Sequence, residues 1–509
     1  MPRACAYTIM HIINWRLISR VLSAVAAGSG AAFLPAVGWA LYYGEYGTIS
    51  GILTAVGIAW IVAGLLSLLG RRADDQLYQR EALIIVVFSW VLAGSLGALP
   101  FLCTGMLGPM GAFFESVSGL TTTGASVIDN LGAWPRSLLF WRSFTHWLGG
   151  IGIVVLFIAI LPYLGAGGKL LYKTEASGPN PRALRPHLRD AAIILLKTCI
   201  ALTVLNTLAL RLTGRMDLFE SLCHAFGTFA TGGFSTRQES IAAYDSISVE
   251  LVTILFMVCC ASSFALYIAV LRGDGLAFFK NTEWRVMILV LAGAILLAAT
   301  NVAGYWGATP AGPATSSAGE FPDFWRSLRA AAFSVTSIAT NTGFTTDDFD
   351  RWPHFSRILL IILMCVGGSA GSTAGGLKVI RVIMVFKMLR HGIERMFRPY
   401  IVRMLRIDGE VVDDGVQRNV VLFVLAYLLC LGGCSVALTG FGLDLESAVS
   451  AVASCMSNTG PGLGLIGASE TYSAVPVGGQ ALLCFCMLLG RLELMAVLVM
   501  FIPGFWRSK

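Results

Sequence analysis

Long apolar runs separated by short polar segments dominate the chain. A helix needs about 20 apolar residues to cross a bilayer. Runs of that order occur over roughly 21–43, 48–70, 82–104, 137–162, 190–212, 249–271, 285–304, 356–390 (interrupted), 419–440 and 476–503. They predict ten spanning helices. Between some of them lie shorter, semi-polar segments rich in Thr, Ser, Asn and Gly. The first run follows Arg3, Arg16 and Arg20, is too long for a signal-peptide core and ends without a clear small-residue cleavage site, so it reads as a retained first span.

Composition agrees with the pattern. Of the 509 residues 56% are hydrophobic and 13% charged, with a mean hydropathy of +0.75. A soluble domain carries about 25% charged residues. A soluble enzyme, a disordered chain and a nucleic-acid-binding protein are thereby excluded, and an all-α polytopic membrane protein remains. The net charge of +7 is explained by its distribution. With the N-terminus inside, the inner segments 1–20, 71–81, 163–190, 272–285, 378–418 and 504–509 hold 25 of the 36 Lys and Arg, which favours cytoplasmic N- and C-termini. Nearly all of the 12 Cys lie within apolar runs, as small buried hydrophobes. The six His are scattered and show no i,i+4 metal pair.

An internal repeat organises the polar segments. Four of them read Leu120-Thr-Thr-Thr-Gly124-Ala-Ser126, Phe229-Ala-Thr-Gly232-Gly-Phe234, Ala339-Thr-Asn-Thr-Gly343-Phe-Thr345 and Met456-Ser-Asn-Thr-Gly460-Pro-Gly462. Their Thr-Gly glycines are 108, 111 and 117 residues apart, and a fixed period marks tandem structural units. Each is preceded by a short amphipathic stretch around Phe114-Glu-Ser116, Phe219-Glu-Ser221, Trp325-Arg-Ser327 or Leu445-Glu-Ser447. These stretches are too short to span, so each repeat reads as helix, re-entrant half-helix, loop, helix. The expected divisions are 1–75 (two N-terminal spans), 76–165, 166–272, 273–410 and 411–509 (pore repeats one to four).

Irregular backbone at membrane depth is tolerated only where it is buried in protein or lines a water-filled path. Four such loops most economically meet around one axis, where carbonyl oxygens replace the water shell of a dehydrated cation. The expected filter comprises Thr122, Thr123 and Gly124; Ala230, Thr231 and Gly232; Asn341, Thr342 and Gly343; and Asn458, Thr459 and Gly460. Glycine opens φ values closed to other residues. Oxygen ligands without carboxylates suit a monovalent ion better than Ca²⁺ or Mg²⁺. Two positions before the Thr-Gly glycine stand Thr122, Ala230, Asn341 and Asn458, so the oxygen ring there is not symmetric.

The third repeat contains ten small residues, Gly367-Gly-Ser-Ala-Gly-Ser-Thr-Ala-Gly-Gly376, inside an otherwise apolar span. Five glycines in ten make a poor helix. Gly367, Gly368, Gly371, Gly375 and Gly376 therefore predict a mobile intramembrane loop below the filter, with close helix packing as the other reading. No Gly-Lys-Ser/Thr follows, which excludes a phosphate-binding loop. Arg491 lies deep in the last span, where a charge must face the interior or a water-filled cavity. It either pairs locally, with Glu493 or backbone carbonyls, or hydrogen-bonds loop 367–376 and holds it across the path. Gly149-Gly-Ile-Gly152 and Ser262-Ser263 would allow close approach or bending in the corresponding spans. The basic stretch 378–418 reads as a lipid anchor or a protein contact surface. Asp129, Asp347, Asp348 and Asp350 read as solvated loop carboxylates or as a cation-concentrating mouth.

The stretch from Phe113 to Ala125 resembles the first pore loop of the Trk/Ktr/HKT potassium transporter superfamily. Gly371-Ser-Thr-Ala-Gly-Gly-Leu-Lys378 and Gly490-Arg-Leu-Glu493 are similar to its other signatures. The likeness covers essentially the whole chain, and the two extra N-terminal spans resemble the TrkH-type bacterial subunit. The resemblance implies four membrane–pore–membrane repeats around one pore, and K⁺ uptake (with Na⁺ and Rb⁺ as further ions) in a bacterial inner membrane. It also implies a homodimer and a cytosolic nucleotide-binding regulatory partner, with no cofactor in this chain. In that superfamily a Ser in the first loop accompanies Na⁺ preference. Gly124 stands there in this chain, which implies K⁺. The alternative is a H⁺- or Na⁺-coupled symporter working by alternating access. Such transporters carry buried acid or His relays, and Glu493 and His146 are nearly the only candidates. A membrane enzyme would need a clustered nucleophile, metal or acid–base set, and none is legible.

Overall fold

The computed structural model describes residues 13–73, 78–160, 184–306, 324–400 and 403–506. The ends of the expected inner segments 1–20 and 504–509, and most of 163–190, lie outside the described residues. Among the described residues six helices are long and apolar enough to cross a membrane, or up to eight if each of two bent pairs counts as one span. The continuous ones are Trp15–Tyr43, Tyr46–Leu69, Arg80–Cys103, Ile193–Leu212, Thr282–Val302 and Asp414–Gly440. The helix Arg136–Ile160 fills the fourth expected run.

Three expected runs are broken. Ile247–Ala261 and Phe264–Leu271 meet at 90° across Ser262-Ser263. His354–Val366 and Val379–Phe397 flank the glycine-rich loop. The third break corrects the expectation of one last span over 476–503. Val477–Arg491 ends at the buried arginine, Glu493 takes a left-handed φ of 56°, and the chain turns by 118°.

The first two spans pack on each other through small residues. A Cβ at Gly30 would come within 2.6 Å of Trp60 Nε1 and 3.3 Å of the Ala59 methyl, so glycine sets the approach of the two helices. Large apolar side chains such as Leu289, Leu429 and Val436 face outward, as expected of a lipid-facing surface.

The centre is occupied by four short helices: Pro109–Leu120, Leu218–Phe229, Phe324–Ala339 and Leu445–Ser457. At about 1.5 Å per residue none can span a bilayer core of about 30 Å. Two N-termini are capped by carboxylates. Asp217 forms a capping box with Glu220, and Asp444 accepts the Ser447 N–H at 3.1 Å. The last of these helices is fully buried from Ser450 to Ser457 and built of small residues. The longer helices surround these four. The described strands are one hairpin, Arg406–Ile407 with Glu410–Val411. Its Asp408-Gly409 turn has positive φ at both residues, the two-residue turn that matches strand twist.

Candidate functional site: a ring of four loops

All four short helices end in the same way. The N–H groups of Thr123, Gly232, Thr342 and Thr459 donate to the carbonyls of Ser118, Gly227, Ser337 and Ser454 at 2.8, 2.8, 2.8 and 3.0 Å. The residue before each is left-handed: Thr122 (φ 54°), Thr231 (51°), Asn341 (56°) and Asn458 (55°). This is the Schellman ending, which satisfies the orphan carbonyls of a helix C-terminus. Gly124, Gly233, Gly343 and Gly460 follow, all at positive φ.

The shared pattern corrects the second loop by one residue. Thr231 stands with Thr122, Asn341 and Asn458, where Ala230 was expected. Gly232 stands with the three threonines, and Gly233 with the three glycines. The cause is His146. A Cβ at Gly232 would lie 2.8 Å from three atoms of the imidazole, so no threonine fits there.

The loops close on one another in cyclic order. A Cβ added at Gly124 would fall under 3.0 Å from the Gly232 carbonyl oxygen, at Gly233 from Thr342 O, and at Gly343 from Thr459 O. At Gly460 it would lie 2.7 Å from Thr123 O, which completes the circuit. Each glycine thus admits the carbonyl of the next loop. The same four glycines line a cavity of about 90 Å³, with Ser126, Thr345 and Tyr472 on its wall.

Side chains brace the ring from outside. Glu115 and Arg142 form a buried pair at 2.5 Å. The Glu115 carboxylate also accepts the Val127 N–H at 3.1 Å, and Arg142 donates to Ser235 O at 2.8 Å. His146 Nδ1–H donates to Gly119 O at 2.7 Å, while Nε2 accepts the Phe234 N–H at 3.2 Å. A backbone N–H can only donate, so these partners define a neutral imidazole. Among the outer carboxylates, Asp347 accepts from Trp352 Nε1 at 2.9 Å, Asp350 accepts from the Gly464 N–H at 3.0 Å, and Asp129 accepts from Ser473 at 2.7 Å. They pin loops.

After the third loop and helix His354–Val366 the chain leaves the helix at Gly367 (φ 73°) and re-enters one after Lys378 (φ 76°). The Thr373 hydroxyl donates to Phe229 O at 2.9 Å, at the end of the second short helix. Gly375 lies so close to Ser457 O that a Cβ would not fit. Arg491 is buried. Its Nη1 donates to Thr373 O at 2.7 Å and its Nη2 to Gly149 O at 3.2 Å. The guanidinium therefore bridges the loop to helix Arg136–Ile160. Gly149 in turn packs on Leu120 O, the close approach expected of its small-residue run.

Glu493 pairs with Arg381 at 2.6 Å rather than with Arg491. A cavity of about 20 Å³, about one water, lies among Gly375, Lys378, Gly490 and Arg491.

Two residues here escaped sequence reasoning. The Lys378 ammonium is buried and donates to Ala374 O. Glu283 is buried at the start of a span and accepts the N–H groups of Ala370 (2.8 Å) and Ile380 (3.1 Å), one on each side of the loop's centre. The one available signal for Glu283 was an acid at the edge of an apolar run.

The family model for TrkH, described as a cation transport protein, matches residues 50–508. A relative from Halomonas elongata, named Trk system potassium uptake protein TrkH, is 37% identical over 97% of this chain and 100% of its own length. The protein of the same name from Escherichia coli is 34% identical, again over 97% of this chain and 100% of the relative. The crystal structure of the potassium transporter TrkH from Vibrio parahaemolyticus superposes with a TM-score of 0.86 at 32% identity, covering 97% of this chain and 99% of that one. The chain belongs to the TrkH family of cation transport proteins.

Proposed function

We propose that this chain takes up K⁺ across the bacterial inner membrane, with the four-loop ring as selectivity filter and loop 367–376 with Arg491 as gate. The observation that carries this reading is the cyclic closure of glycine against carbonyl, Gly124 to Gly232, Gly233 to Thr342, Gly343 to Thr459 and Gly460 to Thr123. A continuous ring of carbonyl oxygens is the chemistry that replaces the water shell of a monovalent cation. Four helix C-termini converge on it, each carrying about half a negative charge, which favours a cation on the axis. The names of the relatives, potassium uptake protein and potassium transporter, agree with this reading.

In the gate, Arg491 places a positive charge on a loop carbonyl directly inside the ring, and Lys378 ties the same loop through Ala374 O. A fixed cation on the path opposes the entry of another. Opening requires Arg491 to release Thr373 and the loop to withdraw. Helix Val379–Phe397 follows the loop and exposes Arg390 and Arg395, with the exposed Arg398 directly after its end. This surface suits a cytosolic nucleotide-binding regulatory subunit, with the chain working as a homodimer.

The two H⁺-relay candidates legible in the sequence are both engaged. His146 is held by backbone groups on both nitrogens and Glu493 by Arg381. The deciding experiment is flux of K⁺, Rb⁺ and Na⁺ into proteoliposomes under a clamped pH gradient. We expect K⁺ and Rb⁺ to exceed Na⁺, with a rate independent of the pH gradient. Uptake that requires the gradient would instead support symport.

A further inference from the structure

The ring is fastened to the inner helices unevenly. In the third and fourth loops the left-handed residue is Asn, whose Nδ2 carries two hydrogens. One goes to the next loop. Asn341 Nδ2 donates to Thr459 Oγ1 at 2.8 Å, and Asn458 Nδ2 to Thr123 Oγ1 at 3.0 Å. The other goes to an inner helix. Asn341 Nδ2 donates to Met364 O at 2.9 Å, and Asn458 Nδ2 to Met487 O at 3.0 Å. Met364 is in the last turn before the chain leaves its helix at Gly367, and Met487 is one turn before Arg491. A Cβ at Gly367 would lie 2.7 Å from Asn341 Oδ1, and one at Gly490 would lie 3.0 Å from Asn458 Oδ1, so both amides are closely walled. The first and second loops carry Thr122 and Thr231 at this position. Thr122 Oγ1 is buried without a hydrogen-bond partner, and Thr231 Oγ1 turns back to Ala230 O at 2.6 Å.

We propose that Asn341 and Asn458 couple the gate to the ring, so that the ion preference of the filter depends on whether the gate is closed. The inference rests on the filter and gate readings above. Hydrogen bonds to these amides are lost beyond about 3.5 Å, so a shift of roughly 1 Å at Met364 O or Met487 O breaks the link. The amide then turns, and the threonine hydroxyl that it holds in the neighbouring loop is released. Both asparagines are positioning residues, because the ion meets the carbonyls of the ring rather than the amides.

The test is a double-mutant cycle on the full chain in proteoliposomes, comparing wild type, Arg491→Ala, Asn458→Gly and the double variant by Rb⁺ and Na⁺ flux. Glycine accepts the left-handed φ of position 458 without strain. Asn458→Thr is the second variant, since loops one and two already hold Thr there. We expect Arg491→Ala to raise flux and also to shift the Rb⁺/Na⁺ preference by about fivefold, a coupling of ordinary size for linked residues. In the Asn458→Gly and Asn458→Thr backgrounds flux should still rise while the shift in preference disappears. A shift of the same size with and without Asn458, or higher flux with no shift in wild type, overturns the coupling and leaves filter and gate standing. Unchanged flux in Arg491→Ala removes the gate reading itself, and the coupling with it.

Discussion

The seam between the first and second loops and the seams between the third, fourth and first loops are closed by different means. In the former, His146 fills the space opposite Gly232, Arg142 lies 3.5 Å from the centre of the Phe234 ring, and Glu115 neutralises Arg142. Glu115 lies on the first short helix, and Arg142 and His146 on helix Arg136–Ile160. In the latter, two asparagine amides run from the ring to helices His354–Val366 and Val477–Arg491, which hold the proposed gate. One half of the ring, the fixed half, is thus tied chiefly to charged and aromatic side chains, and the other, the moving half under the proposed gate, to the helices beside loop 367–376, a loop that also reaches the second short helix through Thr373 and Phe229 O. A ring of four identical loops could not divide its attachments in this way. Tandem repeats in one chain can, because each loop is free to carry its own residue.

The largest effect should come from the fixed half. Glu115→Ala leaves Arg142 buried and uncompensated, which costs about 3–5 kcal/mol. Thermal unfolding of the detergent-solubilised protein should show a large drop. An unchanged midpoint would mean that this pair does not hold the ring.

Next come the ring glycines. Gly124→Ala, Gly233→Ala and Gly343→Ala each force a Cβ into a neighbouring carbonyl, and Rb⁺ uptake should fall about a hundredfold, the cost of an ångström-scale misplacement at a working site. Gly460→Ala should be milder, since its nearest carbonyl oxygen is at 2.7 Å. Replacement of Gly233 should act on the ring directly, whereas Gly232→Ala should act by displacing His146. If uptake tolerates Gly233→Ala and not Gly232→Ala, the corrected register of the second loop is wrong.

Much of this arrangement is legible in the sequence, and the failures have physical causes. The spans follow from apolar runs, the short helices from their length, and the burial of Arg491 from its place within an apolar run. The register of the second loop does not follow, because Thr231-Gly232 matches the other Thr-Gly pairs by letter. The true alignment is counted in hydrogen bonds from the helix end, and the residue that forbids threonine is His146, on a different span. The 118° turn after Arg491 is hidden because hydropathy continues through Leu494–Leu498. Glu283 reaches its partners 87 and 97 residues away, a distance that no local pattern reports.

On the moving half, Arg491→Ala should raise Rb⁺ leak about thirtyfold in the absence of a partner. A hydrogen bond from a charged donor is worth roughly 1.5–3 kcal/mol, and each 1.4 kcal/mol is tenfold. Unchanged flux in a folded, monodisperse variant would make Arg491 a structural tie and remove the contrast between the halves.

The smallest effect tests how far the moving half extends. Asp408, at the tip of the inner hairpin, accepts the Thr282 N–H at 2.9 Å and the Asn281 amide at 3.4 Å. The next residue, Glu283, holds the backbone at Ala370 and Ile380. Three consecutive residues therefore join the hairpin to loop 367–376. Removing a helix-capping carboxylate costs about 0.5–2 kcal/mol, and the low end applies because Asp408 is exposed and screened by solvent. Asp408→Ala should accordingly change Rb⁺ leak by about fivefold at most, since one kcal/mol is a factor of that order. Thermal unfolding should move little. Wild-type leak in Asp408→Ala, beside a raised leak in Arg491→Ala, would make the hairpin a passive cap and end the moving half at Glu283.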